Sequence, residues 1–190
     1  MIGAFQLRLK EADDATIKQA IKELMPVCRA HQVIFIINDR PDLCAQFDCD
    51  GVHVGQEDLE KTSIAAIRKT IGEKAAVGVT CHASRHLAME AAEAGADYVA
   101  FGAFYETTSK PKEKLEKWGT PTPDILEWWS TYTTIPCVAI GGITPENCTP
   151  LASAGADFIA VITAVWNHPQ GAAAGVKAFA DVMPAEAGIL

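Results

Sequence analysis

The sequence predicts an α/β fold in which a parallel sheet is built from strands joined by helical crossovers. Short apolar runs alternate with amphipathic stretches along almost the whole chain. The chain has 190 residues, of which 49% are hydrophobic and 21% are charged. That length and composition are typical of a globular domain with a full core, so we expect 1–190 to form a single domain.

Seven apolar runs have the composition of strands, because they are rich in β-branched or aromatic residues and are bounded by Gly, Asp, Asn or Pro. They lie at 4–9, 33–37, 52–54, 75–79, 98–104, 137–140 and 158–165. Helical periodicity separates them and is clearest in 15–30, where Ile17, Ile21, Leu24 and Val27 recur three or four residues apart. The alternation of the two patterns indicates βα units in series.

The number of strands leaves two architectures open. A closed (β/α)₈ barrel has eight strands and typically about 250 residues, whereas this chain shows seven strands and the first begins close to its start. The chain therefore forms either a smaller open sheet or a barrel that lacks its first βα unit. The tetrapeptide Ala-Gly-Ala-Asp precedes a strand at both 94–97 and 154–157, which indicates either a repeated helix–strand joint or coincidence in an Ala-rich chain. We expect 185–190 to be a frayed tail.

Composition also restricts the partners. The net charge of −8 argues against a nucleic-acid partner, which would require a basic surface. No apolar run is long enough to cross a membrane, and the first residues lack the features of a signal peptide. The six cysteines form no C-x-x-C pair, so neither a zinc ribbon nor a disulfide framework is expected. We therefore expect a cytoplasmic protein that binds neither nucleic acid nor membrane.

The first strand carries an unusual polar face. Gln6, Arg8 and Lys10 alternate with apolar residues and so share one side of the strand. On a solvated edge strand this pattern is ordinary. Inside a barrel, two cations and an amide would be costly unless they met an anion, and this second interpretation predicts an anion-binding face.

Carboxylates follow two neighbouring strands. Asn38 and Asp39 come directly after the second strand, and Asp58 follows the third. α/β folds place their active sites at the carboxyl ends of strands. Mg²⁺ is usually held by one or two carboxylates together with substrate phosphates, so Asp39 and Asp58 are predicted ligands of Mg²⁺. The alternative is that each Asp caps a helix.

The fourth and fifth strands end in hydroxyl groups. Thr80 ends the fourth strand, where it is either a binding hydroxyl or an ordinary strand-end residue. The fifth strand is followed by Thr107, Thr108, Ser109 and Lys110. Hydroxyls beside an ammonium group suit an oxyanion, although a plain polar loop has the same composition.

The last two strands end in a pattern that suits phosphate. The sixth is followed by Gly141 and Gly142, and the seventh reaches Ile162 and Thr163. In (β/α)₈ enzymes, the last two βα loops commonly bind phosphate through backbone N–H groups. The alternative is a tight turn, which requires only one of the two glycines.

Other conspicuous side chains receive structural interpretations. His53 lies inside a strand and is expected to be a satisfied core histidine, while His82 is expected to be structural or exposed. Trp128 and Trp129 are adjacent on a predicted helix, so both cannot face one core. We expect one of them to be exposed, where it would suit a contact in a homo-oligomer.

Taken in order, these motifs resemble those of the thiamine phosphate synthase family. The resemblance extends from Phe5 to about Val165. It is carried by Gln6-x-Arg8-x-Lys10, Asn38-Asp39, the run 51–58 (GVHVGQED), the run 78–80 (GVT), the run 107–110 (TTSK) and the run 139–143 (AIGGI).

The resemblance implies a (β/α)₈ barrel and a transferase that joins two substrates. One is 4-amino-5-hydroxymethyl-2-methylpyrimidine diphosphate, and the other is hydroxyethylthiazole phosphate or its carboxylated form. By the family's motifs, the pyrimidine diphosphate would be bound by Gln6, Arg8, Lys10, Asn38, Thr80 and Lys110. The thiazole phosphate would be bound by Thr107, Thr108, Ser109, Gly142, Ile162 and Thr163. Asp39 and Asp58 would hold Mg²⁺.

The implied reaction is a largely dissociative substitution. Pyrophosphate leaves a carbon attached to the electron-rich aminopyrimidine, and the thiazole nitrogen captures the resulting cation. Lys10, Lys110 and Arg8, with Mg²⁺, would neutralise the leaving group, which explains why the motifs contain cations and carboxylates but no triad.

The sequence departs from the family in two ways. Members usually have one more strand and helix before the Gln-x-Arg-x-Lys strand, so a barrel lacking its first βα unit is expected here. Thr80 also stands where many members have Ser, but it keeps the hydroxyl.

Two other functions stay open. Thiazole tautomerases share the scaffold, but some of them carry a His where this chain has Ala103. The second alternative is a truncated relative that binds phosphorylated ligands without turnover.

Overall fold

A computed structural model describes residues 2–107, 117–183 and 188–189. Its core is one parallel sheet with the strand order β1 to β8. The strands are β1 (Ala4–Leu7), β2 (Ile34–Asn38), β3 (Gly51–Val54), β4 (Ala76–His82), β5 (Tyr98–Gly102), β6 (Cys137–Ile140), β7 (Phe158–Ala160) and β8 (Gly188–Ile189). The sheet curls in the manner of a (β/α)₈ barrel, so the predicted fold class, a TIM-type barrel shortened at one end, is confirmed.

Helices connect the strands as the sequence predicts. They are α1 (Asp14–Ala30), α2 (Pro41–Phe47), α3 (Gln56–Leu59), α4 (Ile64–Ile71), α5 (Arg85–Glu93), α6 (Asp124–Tyr132), α7 (Thr149–Ser153), α8 (Thr163–Trp166) and α9 (Ala172–Ala180). In α1, the side chain of Asp13 accepts a hydrogen bond from the Thr16 N–H at 2.8 Å and caps the helix. Ile17 and Ile21 are buried on its inner face. No helix among the described residues is long and apolar enough to cross a bilayer.

One prediction about the end of the sheet is wrong, and the tail contains a short paired segment. The apolar run 158–165 is not one strand, because β7 ends at Ala160 and α8 begins at Thr163; hydrophobicity alone does not separate a short buried strand from a short helix. The tail also contains β8 at 188–189, where the sequence predicted only fraying. β8 pairs with β7, whose outer edge offers unpaired backbone N–H and C=O groups.

The two faces of the sheet bury different residues. Along β2, Phe35 and Ile37 belong to the large cluster between sheet and helices, whereas Ile36 belongs to a small cluster on the opposite face. Tyr98 and Ala160 are part of that small cluster, which fills the inside of the curled sheet. The inner face is thus packed at one end, and polar side chains have room at the other.

The Ala-Gly-Ala-Asp repeat proves to be a repeated joint. Asp97 accepts a hydrogen bond from the Val77 N–H at 2.7 Å, and Asp157 accepts one from the Cys137 N–H at 2.8 Å. Asp50, before β3, makes the same contact with the Phe35 N–H at 2.8 Å. Each aspartate therefore ties the start of its strand to the neighbouring strand, at the edge opposite the predicted site.

The other structural expectations are met in part. All six cysteines are buried free thiols. Trp129 is fully buried, and Trp128 is half-buried under the guanidinium of Arg85 at 4.7 Å, so the prediction that one of the two is exposed is wrong. Tyr132 and Trp166 are the exposed aromatic side chains among the described residues, at 74% and 62% exposure.

Candidate active site

One cavity, with a volume of about 490 Å³, opens where the strands end. Every predicted site residue within the described ranges lines it, namely Gln6, Arg8, Lys10, Asn38, Asp39, Asp58, Thr80, Thr107, Gly142, Ile162 and Thr163. Thr108, Ser109 and Lys110 lie outside the described residues. The convergence follows from the topology, because the carboxyl ends of parallel strands meet at one edge of the sheet.

The polar face of the first strand meets a carboxylate. Gln6 lies within β1, while Arg8 and Lys10 follow its end at Leu7. The Lys10 ammonium lies 3.5 Å from a carboxylate oxygen of Asp39. The three polar side chains therefore line the cavity wall, as the barrel interpretation of the alternation predicts, and are not directed away from it.

Asp39 is held in a constrained position beside Asp58. Its φ of 60° places it in the left-handed region, which Asp tolerates better than most residues. Its N–H donates to the His53 carbonyl at 2.8 Å, so the backbone stays attached to the sheet. Burial raises the pKa of Asp39, and the nearby charge of Asp58 raises it further, while Lys10 acts in the opposite direction.

Asp58 combines a contact at the start of α3 with a place in the cavity wall. Its carboxylate accepts a hydrogen bond from the Gly55 N–H at 3.1 Å and so closes the first turn of α3. Asp58 is therefore not the N-cap of α3, which is Gly55, but its carboxylate closes the first turn from within the helix. This contact does not exclude binding, because the carboxylate still lines the cavity beside Asp39. For Asp39 no capping contact is involved, since the N-cap of α2 is Arg40.

The charge balance of the cavity favours a bound cation. Its described lining contains two cations, Arg8 and Lys10, and four carboxylates, Glu11, Asp39, Glu57 and Asp58. Within the described ranges, no group of three or more His, Cys, Asp or Glu side chains is arranged to hold a metal ion. A pair of carboxylates with an open side nevertheless fits Mg²⁺, which takes its other ligands from water and substrate phosphates.

Thr80 is held by two neighbours near the end of β4. Its hydroxyl lies 2.8 Å from the Nε2 atom of His53, and its carbonyl accepts a hydrogen bond from the Gln56 amide at 2.7 Å. The Nδ1 atom of His53 lies 2.9 Å from the hydroxyl of Tyr98. His53 is thus a buried, satisfied histidine, as its place inside a strand predicts, and its side chain also reaches the cavity and contacts Thr80, which no local pattern indicates.

Both glycines after β6 are needed for the local backbone. Gly141 and Gly142 have φ values of 102° and 65°, which disfavour other residues. A side chain at Gly142 would overlap the Glu106 carbonyl oxygen and lie 2.8 Å from the Cβ of Tyr105. The turn is fixed from the other side by Asn147, whose amide donates to the Gly142 carbonyl at 3.1 Å. The simple turn alternative, which requires one glycine, is therefore insufficient.

The end of β7 leads into a helix start at the cavity. Ile162 is the N-cap of α8, and Thr163 is the first residue of that helix. The first N–H groups of a helix have no intrahelical acceptor. Together with the Gly141–Gly142 turn, this helix start supplies backbone donors at one side of the cavity, away from the Asp39 and Asp58 pair.

An aromatic pair forms a further part of the cavity wall that sequence analysis missed. The rings of His82 and Trp118 are stacked, with centroids 4.6 Å apart and an angle of 4°. Both line the cavity. The pair could not be found from spacing, because the two residues are 36 positions apart in the sequence.

Comparison with known proteins agrees with this geometry. Residues 1–165 match the family model described as thiamine monophosphate synthase. The chain is 55% identical over 183 residues to a thiamine-phosphate synthase of Rhodospirillum centenum, covering 96% of this chain and 84% of that protein. It is 51% identical over 185 residues to a thiamine-phosphate synthase of Erythrobacter litoralis, covering 97% and 83%.

Solved structures give the same result. The fold is similar to that of a thiamine phosphate pyrophosphorylase from Pyrococcus furiosus, with a TM-score of 0.81, 29% identity, and coverage of 96% of this chain and 85% of that chain. A 3-hexulose-6-phosphate synthase shares the fold alone, with a TM-score of 0.65 and 17% identity over 96% of this chain and 87% of that chain.

Proposed function

The chain belongs to the thiamine monophosphate synthase family, and from this premise we propose how its cavity carries out the reaction. The protein is a transferase that forms thiamine phosphate and pyrophosphate from the pyrimidine diphosphate and a thiazole phosphate. The observation that carries the proposal is the convergence of all the described motif residues on one cavity.

The diphosphate end of the pyrimidine substrate is assigned to the side of the cavity where β1, β2 and β4 end. Arg8 and Lys10 supply positive charge there, while Gln6, Asn38 and Thr80 supply hydrogen bonds. As the C–O bond breaks, the pyrophosphate oxygen takes the electron pair and its charge grows, so cations placed in advance stabilise the transition state. Lys110 is assigned to the same role by the family motif and lies outside the described residues.

Asp39 and Asp58 are assigned to Mg²⁺, which when bound would neutralise charge on the departing pyrophosphate. The support is the excess of carboxylates over cations in the described lining. A multiply charged anion would be repelled by such a surface, unless a divalent cation accompanied it. Burial raises the pKa of Asp39, and repulsion from the neighbouring Asp58 carboxylate raises it further.

The thiazole phosphate is assigned to the opposite side, formed by Thr107, the Gly142 turn and the start of α8 at Ile162 and Thr163. Thr108 and Ser109, which lie outside the described residues, are assigned to the same phosphate by the motif. Backbone N–H groups and hydroxyls suit a phosphate that is bound but does not react.

The remaining task of the protein is positioning. A C–N bond forms between the thiazole nitrogen and the carbon that lost pyrophosphate, and no proton has to be removed for this bond to form. Holding the two rings in contact makes the capture effectively unimolecular. The absence of an acid–base group at Ala103 fits this chemistry and does not favour the tautomerase alternative, since that buried methyl group lines the cavity.

The metal assignment is tested by Asp39→Ala and Asp58→Ala, with Asp181→Ala as the control. Asp181 is exposed and pairs with Lys177 on α9, outside the cavity. We expect each cavity variant to release pyrophosphate about 100-fold more slowly, because a metal contributes several kcal/mol of charge stabilisation. Asp181→Ala should behave as the unmodified protein does. Full Mg²⁺-dependent activity in the double variant would contradict the assignment.

We further propose that the protein acts in the cytoplasm on small molecules and has no nucleic-acid or membrane partner. The six buried free thiols support a reducing compartment. The exposed rings of Tyr132 and Trp166 would suit a contact between copies in a homo-oligomer. Sedimentation of the purified protein tests that contact, and a monomer at every concentration would contradict it.

A further inference from the structure

Three side chains form a buried hydrogen-bonded chain inside the curled sheet. The Tyr98 hydroxyl lies 2.9 Å from His53 Nδ1, and His53 Nε2 lies 2.8 Å from the Thr80 hydroxyl. The residues stand on neighbouring strands, β5, β3 and β4, and their side chains all point to the inner face. Only Thr80 and His53 reach the cavity, so Tyr98 forms the closed end of the chain.

A glycine on β4 leaves the space that the Tyr98 ring of this hydrogen-bonded triplet occupies. Gly78 lies on β4 two residues before Thr80, and a Cβ there would overlap the ring of Tyr98. The Tyr98 ring also stacks on His53, with ring centroids 5.5 Å apart. The inner face of the sheet is therefore shaped around the Tyr98 side chain, which is only 9% exposed.

Only one direction of these hydrogen bonds gives the buried Tyr98 hydroxyl hydrogen an acceptor among the three side chains. Burial raises the pKa of the Tyr98 phenol, so the phenol keeps its proton. Among the described residues, His53 is the hydrogen-bond partner that its hydroxyl finds, so the phenol donates to Nδ1. A neutral imidazole that accepts at Nδ1 carries its proton on Nε2 and donates it to Thr80. The Thr80 oxygen then accepts from inside, and its own hydrogen is left for the cavity.

We propose that Tyr98 and His53 are positioning residues, which fix the Thr80 hydroxyl as a hydrogen-bond donor towards the pyrimidine diphosphate. The opposite tautomer would make Thr80 donate inward and would present only lone pairs to an anionic substrate. The Gln56 amide also restrains the Thr80 backbone, so both the position of the hydroxyl oxygen and the direction of its O–H bond are fixed. This proposal rests on the function proposed above.

The tautomer can be observed without any turnover. In the protein labelled with ¹⁵N-histidine, long-range proton–nitrogen correlations distinguish protonated from unprotonated ring nitrogens. The chain has five histidines, and His53→Gln identifies the signal that belongs to His53. We expect a neutral His53 with the proton on Nε2 at pH 7.5, and a mixture of tautomers in Tyr98→Phe. A proton on Nδ1, or on both nitrogens, in the unmodified protein would overturn the proposal.

A double-mutant cycle tests whether the chain acts through Thr80. Tyr98→Phe should lower kcat/KM for the pyrimidine diphosphate about threefold to tenfold, the usual effect of one hydrogen bond, and leave the KM for thiazole phosphate unchanged. The same change should have almost no effect in Thr80→Ala, and its full effect should remain in Thr80→Ser. Equal effects in all three backgrounds would show a merely structural role and refute the proposal.

Two controls keep the outcomes separate. Tyr132→Phe removes a hydroxyl from an exposed ring and should change neither the spectrum of His53 nor the kinetics. Thermal unfolding of each variant shows whether it is folded, and the spectrum of the unmodified protein decides the tautomer even if Tyr98→Phe does not fold. If the unmodified protein released no pyrophosphate, the proposed function would fail, whereas the tautomer would still be measured independently.

Discussion

Replacing Gly142 by Ala tests the assignment of the thiazole phosphate to the turn after β6. Two separate effects act at this position. The backbone has a φ of 65°, and the added Cβ would overlap the carbonyl oxygen of Glu106 while lying 2.8 Å from Tyr105. Gly72 offers a control for backbone strain without overlap, because its φ of 80° and ψ of 179° lie in a region nearly restricted to glycine, while a Cβ there would meet nothing within 4 Å.

The expected magnitudes follow from these two geometries. A residue other than glycine in the left-handed region costs about 1–2 kcal/mol, and forcing extra atoms into a packed site costs a further 1–3 kcal/mol. In a chain of this size, about 1 kcal/mol corresponds to a shift of about 2–4 °C in Tm. In the region that Gly72 occupies, a residue other than glycine costs about 1–3 kcal/mol, so we expect Gly72→Ala to lower Tm by about 2–12 °C. Gly142→Ala, which adds the overlap, should lower it by about 4–20 °C.

The kinetic effect should be confined to one substrate. The Tyr105 N–H donates to the Gly141 carbonyl and the Asn147 amide donates to the Gly142 carbonyl, so the added methyl group displaces backbone beside the proposed phosphate site. A displacement of about 1 Å in such a site can cost about 100-fold. Steady-state assays should show that Gly142→Ala lowers kcat/KM for the thiazole phosphate by about tenfold or more, with little change in the KM for the pyrimidine diphosphate. Gly72→Ala should leave both unchanged. An unchanged thiazole phosphate KM in a folded Gly142→Ala protein would refute the assignment.

Two further predictions concern stability. Burial and Asp58 raise the pKa of Asp39, so the folded state binds the Asp39 proton more tightly than the unfolded state does. Ionised Asp39 therefore destabilises the fold above its folded pKa, and this destabilisation disappears as the pH falls and the carboxylate is protonated. Asp58→Asn can still accept a hydrogen bond from the Gly55 N–H and removes the repelling charge, so it should raise Tm at neutral pH in the presence of a chelator. This increase in Tm should disappear in acid. A lower Tm at neutral pH would contradict the explanation. Arg68 donates to the carbonyls of Ala75 and Gly95 and pairs with Asp97. Arg68→Ala should therefore lower the free energy of unfolding, measured by chemical denaturation, by about 1–3 kcal/mol without changing kcat. An unchanged unfolding midpoint would show that these bonds contribute little.

The sequence could predict which residues meet at the site because strand order and the ends of strands follow from local patterns. Lys10, Asp39 and Thr80 each follow an apolar run with the composition of a strand, and parallel topology then brings them to one edge. The roles of these residues stay predictions that depend on the experiments above. The fold class was predictable for the same reason, since the βα alternation is repeated along almost the whole chain.

Contacts between distant segments could not be predicted in this way. The His53–Tyr98 bond depends on the inward orientation of side chains on β3 and β5, on either side of β4, and no local pattern specifies it. The His82–Trp118 stack joins two residues that are distant in sequence, and no local pattern specifies it. The strand at 188–189 depends on the free edge of β7, a property of the assembled sheet and not of the tail sequence.

The central claim is that this cavity joins two phosphorylated substrates with loss of pyrophosphate. The most direct measurement follows pyrophosphate release by the purified 190-residue chain, with each substrate alone and with both, in Mg²⁺ and in a chelator. The account predicts release that matches thiamine phosphate formation and requires both substrates and the metal. A folded chain that binds both substrates but releases no pyrophosphate would contradict the claim and establish the non-catalytic alternative.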